Sequence, residues 1–126
     1  YRIERILSGL GFITSEFHKP VEQLSGGQKN RLALAKLLLA EPDLMLLDEP
    51  SNHLDIDATQ WLERFLAASQ ATILLVSHDR FLIDQVAQKT IELHQGTIEI
   101  YKGNYSSYMQ QKDDRNAVLR RTYEKQ

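Results

Sequence analysis

The chain has 126 residues, 42% of them hydrophobic and 25% charged, with a net charge of −2, four histidines and no cysteine. That length suffices for one modest domain with a buried core, and the composition is that of a soluble globular protein rather than a disordered one. A disulfide framework and thiolate metal sites are excluded, the lack of cysteine fits a reducing cytosol, and a weakly acidic chain is not as a whole an electrostatic nucleic-acid binder.

Ile3, Ile6, Leu7 and Leu10 recur at helical spacing, with Gly11 where a residue just past a helix end belongs. A polar connection closed by Pro20 follows. From Ser25, a good N-cap, a second helix is expected, with Leu32, Leu34, Ala35, Leu37 and Leu38 on a wide apolar face and Glu41-Pro42-Asp43 as its stop. Leu44-Met45-Leu46-Leu47 is a short continuous apolar run, the pattern of a strand buried on both faces of a parallel sheet. Trp61, Leu62, Phe65 and Leu66 mark a third helix, Ala71–Val76 a second buried strand, and Arg80–Gln88 a fourth helix. Strand, helix and strand in this order imply a right-handed parallel crossover. Thr90–Leu93 and Thr97–Tyr101, joined around Gln95-Gly96, read as a hairpin. Beyond Gly103 the chain is polar and helix-prone, without glycine or proline.

Charge changes with this texture. Residues 1–101 hold nine Lys/Arg against fourteen Asp/Glu, whereas residues 102–126 hold six against three. No apolar run approaches the ~20 residues of a membrane span. The chain opens on Tyr1 with no Met and no signal-like segment, which suggests an excerpt from something longer.

Three clusters carry chemistry. In Leu24-Ser25-Gly26-Gly27-Gln28 a helix start with two glycines leaves backbone N–H groups bare, and the helix dipole adds positive potential, which suits a phosphate. Alone, the same residues equally describe a glycine turn before an ordinary helix. Leu44–Pro50 runs a hydrophobic strand into two carboxylates at its C-terminal edge, where open α/β sheets bind ligands. Asp48 suits Mg²⁺, a hard cation that keeps several waters, and Glu49 suits a base that orients or deprotonates a water. Alone, Asp-Glu-Pro also simply ends a strand. Ser77-His78-Asp79 ends the neighbouring strand, so His78 would share the sheet edge with Glu49 and could hydrogen-bond a developing phosphate charge. A lone histidine is more often structural or solvated. His18 and His94 read as solvated, and Trp61 as core packing.

Together these residues resemble the ABC ATPase family over residues 20–80. Leu24–Gln28 resembles its signature, Leu44–Pro50 its Walker B strand with catalytic glutamate, Asn52-His53-Leu54-Asp55 its D-loop, and His78 its switch histidine. The resemblance implies an α/β fold, a partial P-loop NTPase domain with a parallel sheet core, a helical signature subdomain and a C-terminal β-hairpin. It also implies ATP and Mg²⁺ as cofactors, the metal held at Asp48 through water, and Glu49 and His78 as catalytic residues. Two ATPase domains would sandwich ATP head to tail, with Ser25, Gly26, Gly27 and Gln28 meeting nucleotide held by the other domain. Asn52 and Asp55 would lie at that interface. Nothing in the chain matches GxxxxGK[ST], the phosphate cradle of the family. Residues 1–103 are therefore expected to be the C-terminal half of an ABC ATPase domain, inactive alone.

The branch most resembled is ABC-F, soluble twin-domain ATPases that act on the ribosome. Ser51-Asn52-His53-Leu54-Asp55 has that branch's D-loop character, and Gly103-Asn104-Tyr105-Ser106 resembles the stretch ending its ATPase domain. Residues 104–126 would then begin the charged interdomain linker, with Met109–Gln126 helical. The resemblance implies a second ABC domain, ribosomal RNA and tRNA as partners, and a cytoplasmic location. Alternatives are a transporter's nucleotide-binding subunit or an SMC- or Rad50-like DNA-repair ATPase head. A two-metal hydrolase cluster built from Asp48, Glu49, His53, Asp55, Asp57, His78 and Asp79 would leave the signature unexplained.

Overall fold

The computed structural model describes residues 2–124, and these divide into two compact units, one ending at Leu82 and the other beginning at Ile83. In the first unit, α1 (Arg2–Gly9) buries Ile6, and Leu10 follows it into the core. Gly11 turns the chain at φ +94°, where a β-carbon would be strained, and Phe12 is buried beyond it. Two short 3₁₀ turns, Thr14–Glu16 and Val21–Gln23, lead to α2 (Gly26–Ala40).

Helix α2 starts where the serine predicts. Ser25 Oγ accepts from Gln28 N at 3.1 Å, and Ser25 N donates to Gln28 Oε1 at 2.8 Å. This reciprocal box satisfies donors that a helix start leaves orphaned. The helix ends at Glu41, which adopts left-handed backbone and pairs with Arg2.

Strands β1 (Leu44–Asp48) and β2 (Thr72–Val76) pair in parallel, Leu44 opposite Thr72 and Asp48 opposite Val76. Between them in sequence runs α3 (Ile56–Ala68), whose N-terminus Asp55 caps by accepting from Ala58 N at 2.8 Å. Ala58, Leu62 and Leu66 form its buried stripe. Burying each of the two leucines contributes roughly 1.5–3 kcal/mol.

The expectation of strands buried on both faces needs correction. Met45 and Leu47 are buried, but Leu44 and Leu46 are 54% and 65% exposed, and Leu74 and Val76 behave alike. An apolar run makes both faces of a strand suitable for burial; whether both are covered depends on layers supplied from elsewhere in the fold. Here the covered face is the one bearing Met45 and Leu47.

Helix α4 (Arg80–Val86) is two residues shorter than expected and is capped by Asp79, whose Oδ1 accepts from Phe81 N and Leu82 N, both at 3.1 Å. In the second unit, β3 (Lys89–His94) and β4 (Thr97–Lys102) form the expected antiparallel hairpin. Gln95 and Gly96 both take positive φ, 47° and 78°, the backbone of a two-residue turn that matches strand twist.

Helix α5 (Tyr105–Glu124) begins four residues before the expected Met109. Asn104 is the reason: its Oδ1 accepts from Ser107 N at 3.1 Å and its backbone oxygen from Tyr108 N at 2.9 Å. Asp84 adds to this start, accepting from Ser106 N and Ser106 Oγ, each at 2.8 Å. Lys112 donates to Glu92 at 2.8 Å and Arg115 to Glu99 at 2.5 Å, tying α5 to the polar face of the hairpin. The last two residues of the expected linker helix, Lys125 and Gln126, lie outside the described residues. Among the described residues no helix is long and apolar enough to cross a membrane.

Candidate functional site

The C-terminal ends of β1 and β2 bring two of the sequence-predicted residues together. Register places Asp48 beside Val76, so Glu49 and His78 follow at the same sheet edge. Glu49 N donates to Val76 O at 2.7 Å, extending the ladder by one bond. Glu49 then turns sharply, at φ 49°. A non-glycine residue held there stores strain of the order of 1–3 kcal/mol, a cost met most often at functional turns.

The carboxylate of Glu49 hydrogen-bonds His78 twice. Oε1 meets the ring at Nδ1, and Oε2 accepts from His78 N at 3.4 Å. A carboxylate only accepts, so Nδ1 carries the proton in this bond and Nε2 is left facing away from it. The imidazole is almost wholly solvent-exposed, whereas the Glu49 side chain is 24% exposed. The donor and acceptor roles are thus set by the pair and the open side of the ring by its exposure.

Asp48 and Glu49 border a cleft of about 350 Å³ with Asn30 and Arg31 of α2 and with Asn52 and His53 of the following turn. Asn52 N donates to Glu49 O at 3.2 Å, which folds that turn back against the strand end. His53 has φ 67°. Its ring stands about 3.7 Å from where a β-carbon on Gly27 would sit, so the turn at Asn52-His53 and the glycine turn at the start of α2 are neighbours within one unit. Gly26 has open space at the same position. Ser25 and Gly26 are exposed, Gly27 and Gln28 half-buried.

Asp55, expected at an interface, spends one carboxylate oxygen on the α3 cap. Asp48 is exposed at the edge of the cleft. Among the described residues no three His, Cys, Asp or Glu side chains converge as a metal cage. One exposed carboxylate bordering a cleft fits Mg²⁺, which is usually held by one or two carboxylates, waters and substrate phosphates.

Two participants escaped the sequence reading. Glu16 accepts from Gln28 Nε2 at 2.5 Å, a bond across twelve residues that no spacing rule signals. Arg31 lies 5.1 Å over the Phe12 ring and donates to Leu10 O at 3.3 Å, while its Nε is buried without a partner. A larger cleft of about 440 Å³, lined by Arg2, Arg5, Trp61, Arg64 and Phe65, lies between α1 and α3 and contains none of the predicted site residues.

Family models described as ABC transporter match residues 1–52 and 91–126. The energy-dependent translational throttle protein EttA of Mycobacterium tuberculosis (strain ATCC 25618 / H37Rv) is 53% identical over 100 residues, covering 79% of this chain and 18% of that protein. ATP-binding cassette sub-family F member 3 of Rattus norvegicus is 43% identical over 125 residues, 99% of this chain and 18% of its own length. Among solved structures, the archaeal ribosome recycling factor aABCE1, in complex with the ribosomal stalk protein aP1, matches with a TM-score of 0.62 at 33% identity. That match covers 77% of this chain and 20% of the recycling factor's chain. The chain spans about a fifth of the length of the curated relatives it matches.

Proposed function

From the premise that this chain belongs to the ABC ATPase family and is similar to its ABC-F members, we propose that it supplies the signature and Walker B side of an ATP-hydrolysing site in a longer protein acting on the ribosome. The observation that carries the ATPase reading is the Glu49–His78 pair at the C-terminal edge of two parallel strands, in a unit whose cleft also reaches α2. That edge is where open α/β sheets hold ligands.

In this reading Glu49 takes a proton from the water that attacks the γ-phosphorus of ATP, and the bond to the ADP oxygen breaks. His78 keeps the carboxylate turned toward the cleft mouth. Asp48 would hold Mg²⁺, which when bound neutralises charge on the transferring phosphoryl group. Ser25, Gly26 and Gly27, at the positive end of α2, would receive the γ-phosphate of nucleotide held by a second ABC domain. Gln28, Asn52 and Asp55 belong to the same interface.

The ribosomal part rests on relatives: one is named a translational throttle and another a ribosome recycling factor. The charged helix α5, leaving the hairpin as the ABC-F linker does, supports it. A cytoplasmic location and contacts to ribosomal RNA or tRNA follow from the same reading. The test uses Glu49→Gln in the full-length protein. It should bind ATP, lose hydrolysis and pellet with ribosomes in an ATP-dependent way, while Ser25→Arg should not be retained. Loss of hydrolysis without ribosome retention would leave the ATPase and remove the ribosome, and the transporter-subunit and DNA-repair readings would move ahead.

A further inference from the structure

Gln28 completes the capping box of α2, and the residue that holds Gln28 in turn is one that no motif assigns. Glu16 ends the 3₁₀ turn Thr14–Glu16 and uses both carboxylate oxygens: Oε1 accepts from Ile13 N at 3.0 Å, Oε2 from Gln28 Nε2 at 2.5 Å. A carboxylate offers no proton, so Gln28 can only present its amide nitrogen to Glu16. Its oxygen is thereby turned toward Ser25 N, which donates to it at 2.8 Å. The flipped amide would set oxygen against carboxylate and N–H against N–H. Glu16 thus selects the one orientation of Gln28 that fixes Ser25.

The consequences reach the rest of the turn. Ser25 Oγ accepts from Gln28 N, so its own hydroxyl proton stays available to an outside acceptor. Both polar ends of the Gln28 amide are committed within the chain, which makes it a brace for the turn. Glu16, Ser25 and Gln28 all lie in one compact unit.

We infer that Glu16 is a positioning residue for the signature turn: acting through Gln28, it holds Ser25, Gly26 and Gly27 ready for the phosphate that a second domain presents. This rests on the signature role proposed above. A turn ordered in advance loses less freedom when the two domains close, so the effect should fall on the closed, reacting state more than on initial ATP binding.

The experiment is a double-mutant cycle in the full-length ATPase, with kcat and KM measured separately. Glu16→Ala and Gln28→Ala should each lower kcat about tenfold, the scale of one lost charge-assisted hydrogen bond, with KM for ATP within about twofold of the parent. The double variant should be no worse than Gln28→Ala alone, because one residue acts through the other. Glu16→Gln, which retains one oxygen acceptor, should recover part of the loss. Additive losses in the double variant, a normal kcat for Glu16→Ala, or a loss confined to KM would overturn the inference. If Glu16→Ala does not fold, the cycle is run with Glu16→Gln, whose deficit must vanish in the Gln28→Ala background. Ser25→Arg separates the two levels: normal turnover in that variant removes the signature role itself. An inactive Ser25→Arg beside a normal Glu16→Ala removes only the part assigned to Glu16.

Discussion

Glu49 and His78 lie 29 residues apart in sequence and meet through two hydrogen bonds, ring to Oε1 and backbone N–H to Oε2, at the ends of adjacent parallel strands. The contact follows from register: each residue lies one or two positions beyond the last ladder pair, Asp48 and Val76. With Nδ1 donating to the carboxylate, the ring can offer a second proton at Nε2 only as an imidazolium. In the full-length protein His78→Ala should lower kcat while ATP binding persists, because the carboxylate loses the ring bond that orients it. Glu49→Gln should lower it further, by ~10²–10⁴-fold, the usual reach of general acid–base assistance. Single-turnover hydrolysis with pre-bound ATP measures both, and equal activity of either variant and its parent would contradict the roles.

The chain of 126 residues contains no GxxxxGK[ST] sequence. Phosphate affinity in such enzymes comes mainly from that cradle and its lysine. By itself the chain should bind Mg·ATP more weakly than ~100 μM, equivalent to less than about 5.5 kcal/mol of binding free energy. Titration calorimetry checks this, and low-micromolar binding would require a phosphate cradle among residues assigned other roles.

Glu92 accepts a hydrogen bond from Lys112, and this bond first, with the charge of Lys112 adding to it, holds the Glu92 carboxyl below the ordinary carboxylate range. Its folded pKa lies below its unfolded one, so the stabilisation is fully present above the ordinary value of about 4.3 and is lost as pH falls through the lower folded value. Glu92→Gln should lower the melting temperature of the hairpin–α5 unit at neutral pH. The gap between the two proteins should close as pH drops below about 4. Added salt should narrow it at neutral pH, since the pair is partly exposed. Melting curves over pH 3–7, about the ordinary carboxylate value, provide the check.

Leu62 is fully buried in α3, and Leu46 is 65% exposed on the open face of β1. Leu62→Ala should destabilise the chain by about 2–5 kcal/mol, through lost transfer energy and a cavity. Leu46→Lys should leave stability within about 0.5 kcal/mol. That second change should nevertheless reduce self-association, because Leu44, Leu46, Leu74 and Val76 form an exposed apolar sheet face. Denaturant unfolding measures the first effect and light scattering the second; a monodisperse parent chain at high concentration would refute the association.

Much of the local structure was legible in the residues. Ser25 is a helix N-cap by residue type, Gln95-Gly96 marks a hairpin turn, and Leu62 and Leu66 carry the repeat of a buried helix stripe. These depend on neighbours within about one helical turn, so a short window of sequence contains the physics. The sharing of a sheet edge by Glu49 and His78 was also readable, because strand order and parallel pairing fix which ends coincide. The start of α5 at Tyr105 lies before the expected Met109; the Asn104 bonds to Ser107 and Tyr108 that fix it are local, whereas the Asp84 bonds to Ser106 come from 22 residues away. Three things were decided only in three dimensions: which face of β1 is covered, that the Glu49 carboxylate bonds His78 by both oxygens, and that Glu16 reaches Gln28. Each depends on where separate segments are placed by the packing of the whole unit, and side-chain identity at one position carries no record of what lies across a turn or a sheet from it.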